Sequence, residues 1–182
     1  RRSSDLINRG GWEACVEPAA HTILIGFNLA RGIQAQTVAH IVREREANGL
    51  FESLESTIER TGIGLEQCLL MIRCGGFRFT GKNQQQLQWE AHFLLGQSQK
   101  GTTDATLFTP DITRFTLPHF EANDLEVAFD QIELFGFPLV SPFRLLTAEA
   151  QNIARQGVRS EALPHCIGQE VDIVGYLVTV KE

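Results

Sequence analysis

Twice in this chain a short glycine turn stands between two amphipathic helices, at Leu29-Ala30-Arg31-Gly32-Ile33-Gln34 and again at Thr61-Gly62-Ile63-Gly64. The spacing predicts a helix over 35–48 after the first turn, with Val38, Ile41 and Val42 on one face. It predicts another over 65–74 after the second, with Leu65, Cys68, Leu69 and Ile72 together, preceded by a short helix holding Leu54 and Ile58. A further helix over 84–95 places Leu87, Ala91, Leu94 and Leu95 on one side, and these faces can pack into a compact helical unit. Glycine at the mouth of a helix lets the backbone come close to a phosphate, because no Cβ intervenes and positive φ is allowed. The unpaired N–H groups of the helix's first turn then serve as donors. The tandem therefore suggests a protein that grips the backbone of a duplex. An isolated glycine hairpin serves as readily to let two helices cross tightly.

Charge says where such a ligand would sit. The net charge is −6, but residues 31–82 hold seven Lys/Arg against six Asp/Glu, whereas residues 119–182 hold four against ten. DNA should meet the N-terminal half, and the acidic half is a solvated surface or faces a protein partner. With 182 residues and 43% hydrophobic content there is room for one ordinary domain or two small ones. No run reaches the ~18 to 20 apolar residues of a membrane span. The four cysteines (Cys15, Cys68, Cys74 and Cys166) are too scattered for a zinc knuckle, and a reduced, cytoplasmic setting is expected.

Outside the helical unit, residues 13–27 read as two short strands joined across Pro18. Residues 96–106 hold almost nothing that could be buried and read as a mobile linker. Asn123 with Glu126 is a candidate capping box for a helix ending near Phe135-Gly136. Ser141-Pro142 looks like the cap and first position of another, with Ala150, Ile153 and Ala154 as its apolar side. Val171 to Val180 is a β-rich run with no partner strand before Glu182, so the chain is expected to be a fragment cut inside a β-domain.

The order of these parts resembles the bacterial replicative DNA polymerase III alpha subunit beyond its catalytic domains. The resemblance rests on Ile25-Gly26-Phe27-Asn28-Leu29-Ala30-Arg31-Gly32, on the run from Ile41 to Leu54, on Leu70-Met71-Ile72-Arg73-Cys74-Gly75-Gly76-Phe77, and on Ile132 to Phe143. It implies a mainly α fold: a tandem helix-hairpin-helix domain with a short N-terminal β-hairpin, a flexible linker, two further helices and a truncated OB-type β segment. The implied boundaries are residues 1–27 for the end of a preceding domain, 28–96 for the hairpins, 97–118 for the linker, 119–160 for a helical connector and 161–182 for the start of the OB domain. The family's hairpins hold double-stranded DNA through its phosphates without reading sequence. Carried over by position, this implicates Gly32 and Ile33 in the first hairpin and Gly62, Ile63 and Gly64 in the second. Arg31, Arg73 and Lys82 are the expected phosphate contacts. Gln34 departs from the pattern, standing where a second glycine is usual. Asp104, Leu107 and Phe108 fall where the family has a sliding-clamp peptide, with Asp104 replacing the usual glutamine, so the clamp and other replisome subunits are implied partners.

Two-metal nucleotidyl transfer needs clustered carboxylates, and here no Asp-x-Asp pair occurs and the five histidines are scattered. The fragment is expected to be catalytically silent and without cofactor, the Mg²⁺ belonging to the parent's catalytic domain. Two rivals remain. One is a structural or protein-interaction module of the replisome with no DNA affinity of its own, and the other is a repair nuclease or glycosylase that reaches DNA through such hairpins.

Overall fold

The computed structural model describes residues 2–3, 6–98 and 124–177. It divides into two compact units, residues 1–139 and 140–182.

The first unit opens with a small three-stranded sheet in the order β1 (Arg2–Ser3), β3 (Thr22–Leu24), β2 (Cys15–Glu17). β2 and β3 are antiparallel with Val16 opposite Ile23, and the 3₁₀ turn Pro18–Ala20 joins them, as the Pro18 punctuation suggests. Period-2 alternation decides the faces: Thr22 and Leu24 are buried while Ile23 looks outward. Between β1 and β2 a single helical turn, α1 (Leu6–Arg9), drives Leu6 and Ile7 into the core. Arg45 Nη1 donates to both Ile7 O and Gly10 O at 2.9 Å, covering carbonyls that so short a helix leaves unpaired. Asn8 pairs with the Phe51 backbone in both directions at 2.9 Å.

The helical layer consists of α2 (Ala35–Asn48), α3 (Leu54–Thr61), α4 (Leu65–Arg73) and α5 (Gln84–Ser98), close to the spans predicted from periodicity. Gly49 and Gly62, both at positive φ, end α2 and α3. Ser53 caps α3 by accepting from Ser56 N, and Asn83 and Gln86 cap the start of α5 reciprocally. Arg60 lies 4.2 Å over the Phe51 ring and donates to Glu44 Oε1 and to the Glu44, Gly49 and Leu50 carbonyls, fastening α3 under the C-terminus of α2. Hydrogen bonds from Asn48 and Arg60 hold the Glu44 carboxyl below the usual carboxylate range. Phe27, Phe51 and Phe77 with Ile41, Leu54, Met71 and Ile72 form the centre of one core that spans the sheet turn and all four helices. Cys68 and Cys74 both lie in this core. Burial pushes both thiols up to about 12.

α6 (Asp124–Phe135) ends on Gly136, as expected. It packs on α4 in this first unit.

In the second unit, Ser141-Pro142 starts only a 3₁₀ turn, Pro142–Leu145. The α-helix there, α7 (Ala148–Gln156), is capped instead by Thr147, whose hydroxyl accepts from Ala150 N. Its apolar side is not buried: Ile153 and Ala154 are exposed, and none of residues 140–177 is fully buried. Residues 171–177 form no strand ladder, consistent with the cost of a strand lacking a partner. Val158 N donates to Asp172 O at 3.0 Å and pins this run to the end of α7. No helix among the described residues is long and apolar enough to cross a membrane.

Candidate nucleic-acid interface

The two hairpins differ in how they are built. The second follows expectation, α3 turning through Gly62-Ile63-Gly64 into α4. In the first, the element before the turn is a single 3₁₀ turn, Phe27–Leu29, where an amphipathic helix was expected. Only residues 25–31 lie between β3 and Gly32, less than two full helical turns.

Ile33 and Ile63 are both buried and act as plugs that seat each turn in the core. Gly32 sits at φ +82°, and a Cβ there would come within 3.2 Å of Leu70 Cδ1. Gly62 is at φ +61° with open space where a Cβ would be. Gly64 is extended and equally open, so its lack of a side chain answers no local strain.

The first turn is held from several sides. Arg31 N donates to Leu134 O of α6 at 2.9 Å, and Ile33 N donates to Ala30 O at 3.4 Å. Gln67, on α4 and almost fully buried, spans the rest: its Oε1 accepts from Gln34 N and its Nε2 donates to Gly32 O, both at 2.9 Å. Gln34's own N–H is therefore withdrawn from any ligand. The sequence reading missed Gln67. The available signal was a polar residue on the stripe shared with Cys68 and Met71.

Helix α2 begins its own ladder at Val38 N to Gln34 O, 3.2 Å, which leaves the first-turn amides of Ala35, Gln36 and Thr37 outside it. The Gln34 side chain does not cap them, and no acidic residue lies in this first turn. Arg31, four residues before the helix, is exposed and has no ion partner among the described residues. At the second hairpin the first turn of α4 carries the exposed carboxylate of Glu66, which already complements the helix dipole and opposes a phosphate.

The other two predicted cations are engaged elsewhere. Arg73 donates to Asp130 Oδ1 from Nε at 2.8 Å and Nη2 at 2.5 Å, and also to Glu133; these bonds, Asp130's first, raise its pKa. Gln84 donates to the other oxygen of Asp130. Arg73 thus ties α4 to α6. Lys82 is half exposed and pairs with Glu90 at 2.6 Å, a surface bond that is weak in water. Asp104, Leu107 and Phe108 lie outside the described residues. Beyond Leu70, an open groove of about 930 Å³ runs between α4 and α5, lined by Leu69, Gln88, His92 and the exposed Trp89.

No curated protein matches the chain. Residues 5–87 match the helix-hairpin-helix motif family, a match that takes in α1, both glycine turns and the start of α5 and suggests nucleic-acid binding.

Proposed function

We propose that this domain binds duplex DNA through backbone phosphates, independently of sequence, and does so chiefly at the first hairpin. The observation that carries this reading is the mouth of α2: three first-turn amides with no side-chain cap, no carboxylate among them, and an exposed Arg31 four residues earlier in the chain. The order of sequence segments supports a finer identity, a non-catalytic part of a replicative polymerase alpha subunit, with Asp104, Leu107 and Phe108 as its contact to a sliding clamp. The test is fluorescence anisotropy of a labelled duplex titrated with the chain at two salt concentrations. Binding should weaken with salt by a log–log slope of about −0.9 per phosphate neutralised, with equal affinity for unrelated sequences. No binding at low salt would overturn the reading.

The groove beside Trp89 favours the second reading, a protein-interaction module, since an exposed tryptophan over an apolar floor is a typical anchor site. Retention of replisome proteins by a chain without duplex affinity would select it.

A further inference from the structure

The second hairpin's helix supplies the side chain that shapes the first hairpin's turn. Gln67 occupies the third position of α4 and closes two hydrogen bonds onto the peptide groups flanking Ile33, one through its carbonyl oxygen and one through its amide nitrogen. Both are neutral bonds of 2.9 Å at a side chain only 7% exposed, where water cannot substitute for a lost partner. The segment they hold includes Gly32, whose positive φ makes it the most permissive point of the loop. Gln34 and Gly64, which close the two turns, are both extended, so neither sets its turn by glycine's backbone freedom. In the first turn a side chain from α4 fixes the peptide orientation.

We infer that Gln67 is a positioning residue for duplex binding: by fastening Gly32 O and Gln34 N it aims the first-turn amides of α2 outward without touching the ligand. This rests on the duplex reading above. Its consequence is that the two hairpins are one device, the second preparing the first. If loss of the strap leaves the loop in its binding shape about a tenth of the time, apparent affinity falls about tenfold.

The test uses the full chain and its Gln67→Met variant, which keeps length and bulk but makes neither bond. In labelled-duplex anisotropy, Q67M should bind about tenfold more weakly, with an unchanged salt slope because no phosphate contact is removed. Wild-type affinity in Q67M, even with a lowered urea midpoint, would overturn the inference and leave Gln67 a purely structural residue. A slope smaller by about 0.9 would mean that a cationic phosphate contact is lost with the strap, so that Gln67 holds a charged group and not the amides in place, and would overturn it too. A second measurement needs no variant: in wild type, the Gln34 amide should exchange with solvent at least about tenfold more slowly than those of Ala35 and Gln36. Equal rates would refute the strap itself. Absence of duplex binding by wild type would overturn the duplex reading, and the exchange contrast would then still decide whether the strap exists.

Discussion

Replacing Gly32, Gly62 and Gly64 one at a time by alanine should give three different results from one chemical change. At Gly32 the alanine must take φ +82° and set its Cβ 3.2 Å from Leu70 Cδ1. The left-handed conformation costs about 1–2 kcal/mol, partly offset because alanine restricts the unfolded chain, and the half-buried Leu70 must shift a few tenths of an ångström, so a net loss of about 1.5 kcal/mol is expected. Gly62 has the same backbone problem at φ +61° but open space around it, so about 1 kcal/mol is expected. Gly64 is extended and meets nothing, so Gly64→Ala should gain about 0.5 kcal/mol through the unfolded state. The assay is urea unfolding followed by far-UV CD. With a slope of about 2 kcal/mol per molar, the Gly32 and Gly64 variants should differ by about 1 M in midpoint. Three midpoints within about 0.2 M of one another would refute the reasoning, since backbone strain would then not separate the sites. Duplex affinity adds a second axis: G64A should bind as wild type does, and a tenfold loss would place the second hairpin against phosphate instead.

Arg31→Ala should lower the magnitude of the salt slope by about 0.9, whereas Arg73→Ala should leave the slope unchanged, as the duplex titration at two salt concentrations can show. Asp130→Ala should cost about 1–2 kcal/mol of stability in urea, because it strips the half-buried Arg73 of its main partner. Thiol labelling in native buffer should modify the exposed Cys15 quickly and leave Cys68 and Cys74 unmodified until the chain unfolds; rapid labelling of either would contradict their burial. Both buried thiols are raised from 9.0 to about 12, so their contribution is whole below pH 9 and lost as pH rises towards 12, by about 1.4 kcal/mol per pH unit for each. A Cys68→Ala/Cys74→Ala double variant should flatten that alkaline limb of the stability curve.

The parts of this fold that follow from local rules were legible. α2 runs over the predicted residues because its apolar stripe and the glycine at its end are local signals. Pro18 and the alternation around it gave the β2–β3 pair for the same reason. What escaped depends on partners far along the chain. Arg73 reads as a free cation until Asp130 and Glu133 are brought to it from about sixty residues away. Gln67 shares a stripe with Cys68 and Met71, but what it bonds is set only when Gly32 and Gln34 fold against it. Ser141-Pro142 satisfies the local grammar of a helix start, yet Thr147 has the geometry to hold the N-terminus of α7. For the candidate site, the glycines and Arg31 were visible, but the preference for the first hairpin came from uncapped amides and from Glu66, which only geometry sets side by side.

The bond from Arg31 N to Leu134 O has a consequence for how this protein is made and handled. The turn at residues 30–34 is completed by a residue synthesised about a hundred positions later, so on the ribosome the first hairpin must wait, with its loop incompletely held, until α6 has emerged. The same bond sets a lower limit on any autonomous piece. An expressed segment stopping after α5 would contain the whole matched motif, yet it would lose the acceptor for Arg31 N and both carboxylates that neutralise Arg73. The motif is therefore shorter than the compact unit that holds it, which extends to Leu139.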